Sequence, residues 1–191
     1  RSTPLYSSSA SDVYKRQVLY SSTLLFYHYK DFGVSSSYLW VIEIKSPKLG
    51  SAFRLHQYCS YFPTEYNSLI GEMVLFSVYR NDMGCIRLVP GSNKLGKIKK
   101  SDGHSFIKKI HEKYSLESAI PIEAKSGDVL FFHCCTLHGS MPNKSLKPRK
   151  TILIQLYSGK DKIIGSSSHT NVQLVLQGWN YNSTRKTAEK L

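Results

Sequence analysis

The amino-acid sequence predicts a mainly β protein, a double-sheet jelly roll or barrel, on three observations. Eight or nine short runs rich in β-branched and aromatic residues recur from Val18 onward. Clusters of Gly, Pro, Ser and Asn punctuate them. A single stretch has helical periodicity, so the alternation of strands with helices that a βαβ fold needs is missing.

The runs follow in order. "VLYSSTLLFYHY", "YLWVIEIK", "FRLHQYCSYF", "MVLFSVYR" and "CIRLVPG" come first, separated by turn signals such as "SPKLGS" and "NDMG". "PGSNKLG" leads to "SDGHSFIKKIHEKYSL", the predicted helix. Ser101 or Asp102 caps it, and Phe106, Ile107, Ile110 and Tyr114 share its apolar face. "AIPIEA", "DVLFFHCCTLH", "TILIQLYSG" and "VQLVLQG" complete the strands. In "EAKSGDVLFFHCCTLHGS", Gly127-Asp128 makes the entering turn, with Asp128 stabilising it. His133 and His138 stand five apart, so on one regular strand they face opposite sides unless a bulge intervenes.

Composition narrows the function. The 191 residues suit one domain, and 41% hydrophobic with 20% charged residues is ordinary for a globular protein. No apolar run approaches the ~20 residues that span a bilayer. The net charge of +13 comes from scattered lysines without an arginine stripe, so it does not argue for a nucleic-acid partner. Four cysteines without a C-x-x-C pair read as reduced thiols, hence a cytoplasmic location. "DVYKRQ", Asp12 to Gln17, back-translates into a transposon-end sequencing adapter. Residues 1–17 are therefore expected to be an artefactual flank without stable packing, followed by a domain over 18–180 and a tail over 181–191.

His56 opens an H-x-[residue] pair whose side chains project to one side of a strand. A second histidine, His138, arrives on a late strand and is followed by a glycine. Arg149 comes eleven residues later, a spacing expected to set it on the neighbouring strand, where a guanidinium can hold a carboxylate at two points. "GCIRLVPGS" supplies a turn into a strand that walls such a site. Mononuclear iron(II) sites combine two histidines and a carboxylate on one octahedral face.

Together, "LHQYCSYFP", "GCIRLVPGSNKLGK", "GDVLFFHCCTLHGSMPNKS" and "PRKTILIQLY" resemble the phytanoyl-CoA dioxygenase family of iron(II)/2-oxoglutarate oxygenases. The resemblance runs from about Ser46 to Gly159, with a weaker tail to Asn180. It implies a double-stranded β-helix, a cupin-like jelly roll with a few flanking helices, and an N-terminally truncated chain. It implies iron(II) as cofactor, 2-oxoglutarate as cosubstrate, and hydroxylation of a small organic molecule, with no nucleic-acid or membrane partner. His56 and His138 match the iron-binding histidines, and Arg149 matches the arginine that holds the far carboxylate of 2-oxoglutarate. Gln57 and Ser140 stand at positions that often contact the cosubstrate.

Two positions depart from the family pattern. Tyr58 stands where the metal-binding Asp belongs, and Asn93 replaces the histidine of "PGSH". Four readings of Tyr58 stay open: a sequence error or rare variant, the mark of an inactive relative, a phenolate ligand, or a halide-binding site. The alternative function is an impaired jelly-roll homologue that binds a ligand or partner. Oligomeric state is not legible.

Overall fold

In a computed structural model, residues 13–17, 36–98, 112–164 and 174–175 are described. Their ten strands are β1 (Val13–Gln17), β2 (Ser36–Lys45), β3 (Phe53–His56), β4 (Ile70–Leu75) and β5 (Ile86–Leu88), then β6 (Ile120–Pro121), β7 (Asp128–His133), β8 (His138–Ser140), β9 (Arg149–Tyr157) and β10 (Leu174–Val175). They form a six-stranded sheet in the order β1-β7-β4-β9-β2-β10 and a four-stranded sheet in the order β3-β8-β5-β6. The strand pairs are antiparallel. This is the expected jelly roll, with chain neighbours distributed between two facing sheets.

Alternation decides what lies between the sheets. Met73 and Leu75 of β4, Leu130 and Phe132 of β7, and Ile86 and Leu88 of β5 join Tyr58, Phe62 and Tyr79 in one buried cluster. Each such aliphatic or aromatic side chain contributes roughly 1.5–3 kcal/mol on burial. On the outer face of the larger sheet, Ile154 and Leu156 pack with Val74 and Ile152. Glu72, only 1% exposed, shares that face, opposite Ile154 in the β4–β9 register. Behind the smaller sheet, Leu55, Val89, Ala119 and Leu137 form a third cluster.

Three expectations are corrected here. "FRLHQYCSYF" is not one strand: β3 ends at His56, and Tyr58–Ser60 is a turn of 3-10 helix. "DVLFFHCCTLH" is two strands in different sheets, β7 and β8, joined by a turn over 134–137. The chain must cross between sheets there, so the odd spacing of His133 and His138 does not govern where they point. Arg149 opens β9 in the six-stranded sheet, so it faces β8 across the sandwich instead of lying beside it. Val13–Gln17 pair with β7, where a sheet edge accepts the backbone of an extended segment.

Asp128 does hold its turn: its Oδ2 accepts the Lys125 N–H at 2.8 Å. The predicted helix over 101–116 falls largely outside the described residues, which include a helical turn at 112–113. His104, His111, Trp179, the whole first predicted strand over 18–29 and the ends of the last one also lie outside them. No helix among the described residues is long and apolar enough to cross a membrane.

Candidate active site

His56 closes β3 and His138 opens β8, and the two are direct partners in the β3–β8 register. A register shift between Phe53 and His56 marks an irregularity that lets the pair aim inward. Close approach of these strands needs Gly139, where a Cβ would lie 2.5 Å from the Phe53 carbonyl oxygen. The imidazole centroids are 4.1 Å apart, and both rings are buried.

The tautomer of each ring follows from its hydrogen bond. His56 Nδ1 lies 2.9 Å from the Arg54 carbonyl, and His138 Nδ1 lies 2.9 Å from the Thr136 carbonyl. A carbonyl only accepts, so each Nδ1 carries the proton and each Nε2 keeps its lone pair. His138 Nε2 is buried with no hydrogen-bond partner. Burial lowers the basicity of both rings: His56 falls to about 4, and His138 falls well below its ordinary value, helped by His56. Two neutral, neighbouring imidazoles whose Nδ1 atoms are fixed by backbone carbonyls are what a metal ion requires of histidine.

Both rings line a cavity of about 240 Å³ between the sheets. Phe53, Met73, Ile86 and Leu153 supply apolar wall. Tyr58, Ser140, Arg149 and Glu43 supply the polar groups. The Tyr58 ring stands 4.3 Å from His138 and 5.8 Å from His56, centroid to centroid. Across from it, Gly71 leaves room, since a Cβ there would come within 2.7 Å of the Tyr58 ring. Burial, and then the Glu43 carboxylate, push the phenol well above its ordinary range. The third corner therefore presents a neutral phenol.

Arg149, 1% exposed, donates from Nη1 to the Gly84 carbonyl and from Nη2 to Glu43 Oε1, each at 2.5 Å. Its guanidinium carbon lies 4.8 Å from the centre of the Tyr79 ring, and its buried Nε has no partner. Lys45 is Arg149's partner in the β2–β9 register. Its Nζ donates to Ser140 Oγ at 2.7 Å and to the Met141 carbonyl at 2.6 Å. Burial and then Arg149 lower the Lys45 ammonium to about 8. Two cations and a hydroxyl thus form an anion-binding end to the site, with Glu43 already engaged there.

The structure brings His56, Tyr58, His138, Ser140 and Arg149 to one cavity, although their strands belong to two sheets. Gln57 is the exception and does not line it. It stands just past the end of β3, at the entry to the 3-10 turn, and its amide is consumed elsewhere. Nε2 donates to the Gly96 and Cys135 carbonyls, and Oε1 accepts the Ile98 N–H. Glu43 and Lys45 were missed; two charges at i and i+2 in the apolar run "YLWVIEIK" were their signal. Two carboxylates near the histidines in sequence are engaged at the surface, Asp82 by Arg80 and Glu65 by Lys162.

The donors fit a metal held on two imidazoles. They depart from the two-histidine, one-carboxylate set at Tyr58.

Comparison with known proteins gives the family and the fold. A family model described as phytanoyl-CoA dioxygenase (PhyH) matches residues 12–151. A phytanoyl-CoA dioxygenase domain-containing protein 1 homolog from Dictyostelium discoideum is 26% identical over 128 residues, covering 63% of this chain and 46% of that protein. The chain thus spans less than half the length of this relative. Among solved structures, the non-heme monooxygenase ThoJ in its apo form superposes with a TM-score of 0.65 at 16% identity, covering 83% of this chain and 59% of that one. The epimerase SnoN, in complex with Fe3+, alpha ketoglutarate and nogalamycin RO, gives 0.61 at 16% identity, over 94% and 81%. The alpha ketoglutarate dependent carbocyclase SnoK gives 0.62 at 15%, over 92% and 77%. These likenesses carry the fold, and the family match carries the ancestry: the chain belongs to the phytanoyl-CoA dioxygenase family, whose members use iron and 2-oxoglutarate.

Proposed function

We propose that this chain carries the active site of an iron(II)/2-oxoglutarate-dependent dioxygenase that hydroxylates a small organic molecule. The observation that supports it most is the pair of neighbouring, backbone-fixed imidazoles in one cavity with an anion-binding end. His56 and His138 hold the metal through Nε2. When bound, iron supplies the site for dioxygen activation coupled to decarboxylation of 2-oxoglutarate. Arg149 takes the far carboxylate of the cosubstrate, and Ser140 and Lys45 flank it. Phe53, Met73, Ile86 and Leu153 exclude water and offer the substrate an apolar wall. The buried free cysteines accord with a reducing, cytoplasmic setting.

Tyr58 favours a second reading, an impaired homologue that keeps the binding pocket. A neutral phenol contributes no charge and reaches further from the backbone than a carboxylate. Both readings meet in one experiment. Succinate release from 2-oxoglutarate and iron stoichiometry are measured for the chain and for Tyr58→Asp. Turnover by the unsubstituted chain that disappears in His138→Ala supports the dioxygenase. Turnover appearing only in Tyr58→Asp, with at least ~10-fold tighter iron binding, assigns this chain to the impaired class. No iron bound by either protein overturns both.

A further inference from the structure

Two turns meet beside Tyr58, outside the cavity. The turn Tyr58–Ser60 carries Cys59, and the turn after β7 carries Cys134 and Cys135. Backbone bonds lace them: the Cys59 N–H donates to the Cys134 carbonyl at 3.1 Å, and the Cys134 N–H to the Leu69 carbonyl at 2.9 Å. Three free thiols are thereby gathered. Cys59 and Cys135 Sγ are 3.6 Å apart, Cys134 and Cys135 Sγ are 3.9 Å apart, and all three sulfurs lie within 4.8 Å of one another. Each residue is 2% exposed or less.

We propose that Cys59, Cys134 and Cys135 form a binding site for one soft cation of the zinc class, separate from the two-histidine cavity. Sulfurs bound at ~2.3 Å to a common zinc ion stand about 3.8–4.0 Å apart, and the thiols already lie near that spacing. Further donors border the cluster. Gln57 Oε1 lies 3.7 Å from Cys59 Sγ, and His133 Nδ1 lies 4.0 Å from Cys134 Sγ. His133 Nδ1 accepts the Cys135 N–H at 3.1 Å, which engages its lone pair and holds that edge of the ring beside the cluster. Three thiolates around a divalent ion leave one negative charge. Sulfur donors select zinc over the harder iron(II) that suits the imidazole site. Binding displaces the thiol protons and staples the turn after β3 to the turn after β7, the segments that deliver His56 and His138.

The test uses Co2+ as the probe in the full chain carrying His56→Ala and His138→Ala, which removes the neighbouring metal donors. The expected result is one Co2+ per chain with strong near-ultraviolet thiolate-to-cobalt absorption, bleached by added Zn2+. Cys135→Ser in the same background is expected to weaken binding at least about 100-fold. A folded chain that develops no such absorption overturns the proposal, as does absorption unchanged by Cys135→Ser. A second measurement avoids dependence on variants. X-ray absorption at the zinc edge of the unsubstituted chain, loaded with two equivalents, is expected to show sulfur neighbours at ~2.3 Å. A shell of nitrogen and oxygen alone overturns the site. Neither readout depends on turnover or on 2-oxoglutarate.

Discussion

Glu43 presents the sharpest question at the scale of single residues. Its Oε1 accepts a hydrogen bond from Arg149 Nη2, the guanidinium proposed to take the cosubstrate's far carboxylate. The Glu43 side chain is 37% exposed whereas Arg149 is buried, so the glutamate is the partner free to swing away. A dicarboxylate entering the site must therefore displace an internal carboxylate. Glu43→Gln keeps the shape and removes the competing charge. It is expected to tighten 2-oxoglutarate binding by roughly 3–10-fold, on the order of 1 kcal/mol, as read by calorimetry. Unchanged or weaker binding would mark Glu43 as a support that positions Arg149. The pairing of Glu43 with Arg149 was not visible from spacing alone, because β2 and β9 are neighbours in the sheet but lie far apart in sequence.

Strands and their registers set the geometry of the site at the next scale. Tyr58 has room because β4 places Gly71 opposite it, with Phe132 of β7 on the other side. A methyl group at Gly71 would sit 2.7 Å from the Tyr58 ring and 2.9 Å from the Phe132 ring. Gly71→Ala is expected to destabilise the fold by about 1–3 kcal/mol, measured by denaturant unfolding. The Gly71→Ala/Tyr58→Asp double variant should recover most of that loss, since the shorter side chain vacates the space. Recovery failing in the double variant would assign the crowding to Phe132. The β7–β8 boundary teaches a related lesson. Parity along a strand predicts facing only while the strand lasts, and the turn over 134–137 resets it.

Buried titrating groups set opposite pH limits for the whole molecule. His56 is held at about 4 in the fold and titrates near 6.5 when unfolded, so its share of stability is present above 6.5 and lost as pH falls through 4. His138 acts in the same sense. Glu72 is raised to about 7 by burial, from about 4.5. Its share is present below 4.5 and lost as pH rises through 7. Its Oε2 has no hydrogen-bond partner, so nothing offsets the charge once it forms. Glu72→Gln is expected to leave stability near pH 4.5 little changed and to raise it at pH 8 by up to about 3 kcal/mol. Thermal unfolding across pH checks this, and an alkaline limb that persists in the variant would exonerate Glu72.

The sequence by itself determined the strand-rich layering, the punctuation and the candidate donors His56, Tyr58, His138 and Arg149. Residue type and alternation are local properties, and the family motifs are contiguous. Tertiary structure alone decided which donors meet. The β3–β8 pairing set His56 against His138, and the facing sheets brought Arg149 to the same cavity from the opposite wall, with Lys45 bonded to Ser140 beside it. It also turned Gln57 away and gathered three cysteines from two turns. Those outcomes depend on register and sheet crossing, where a shift of one residue reverses every side chain, and that information is spread over the whole chain.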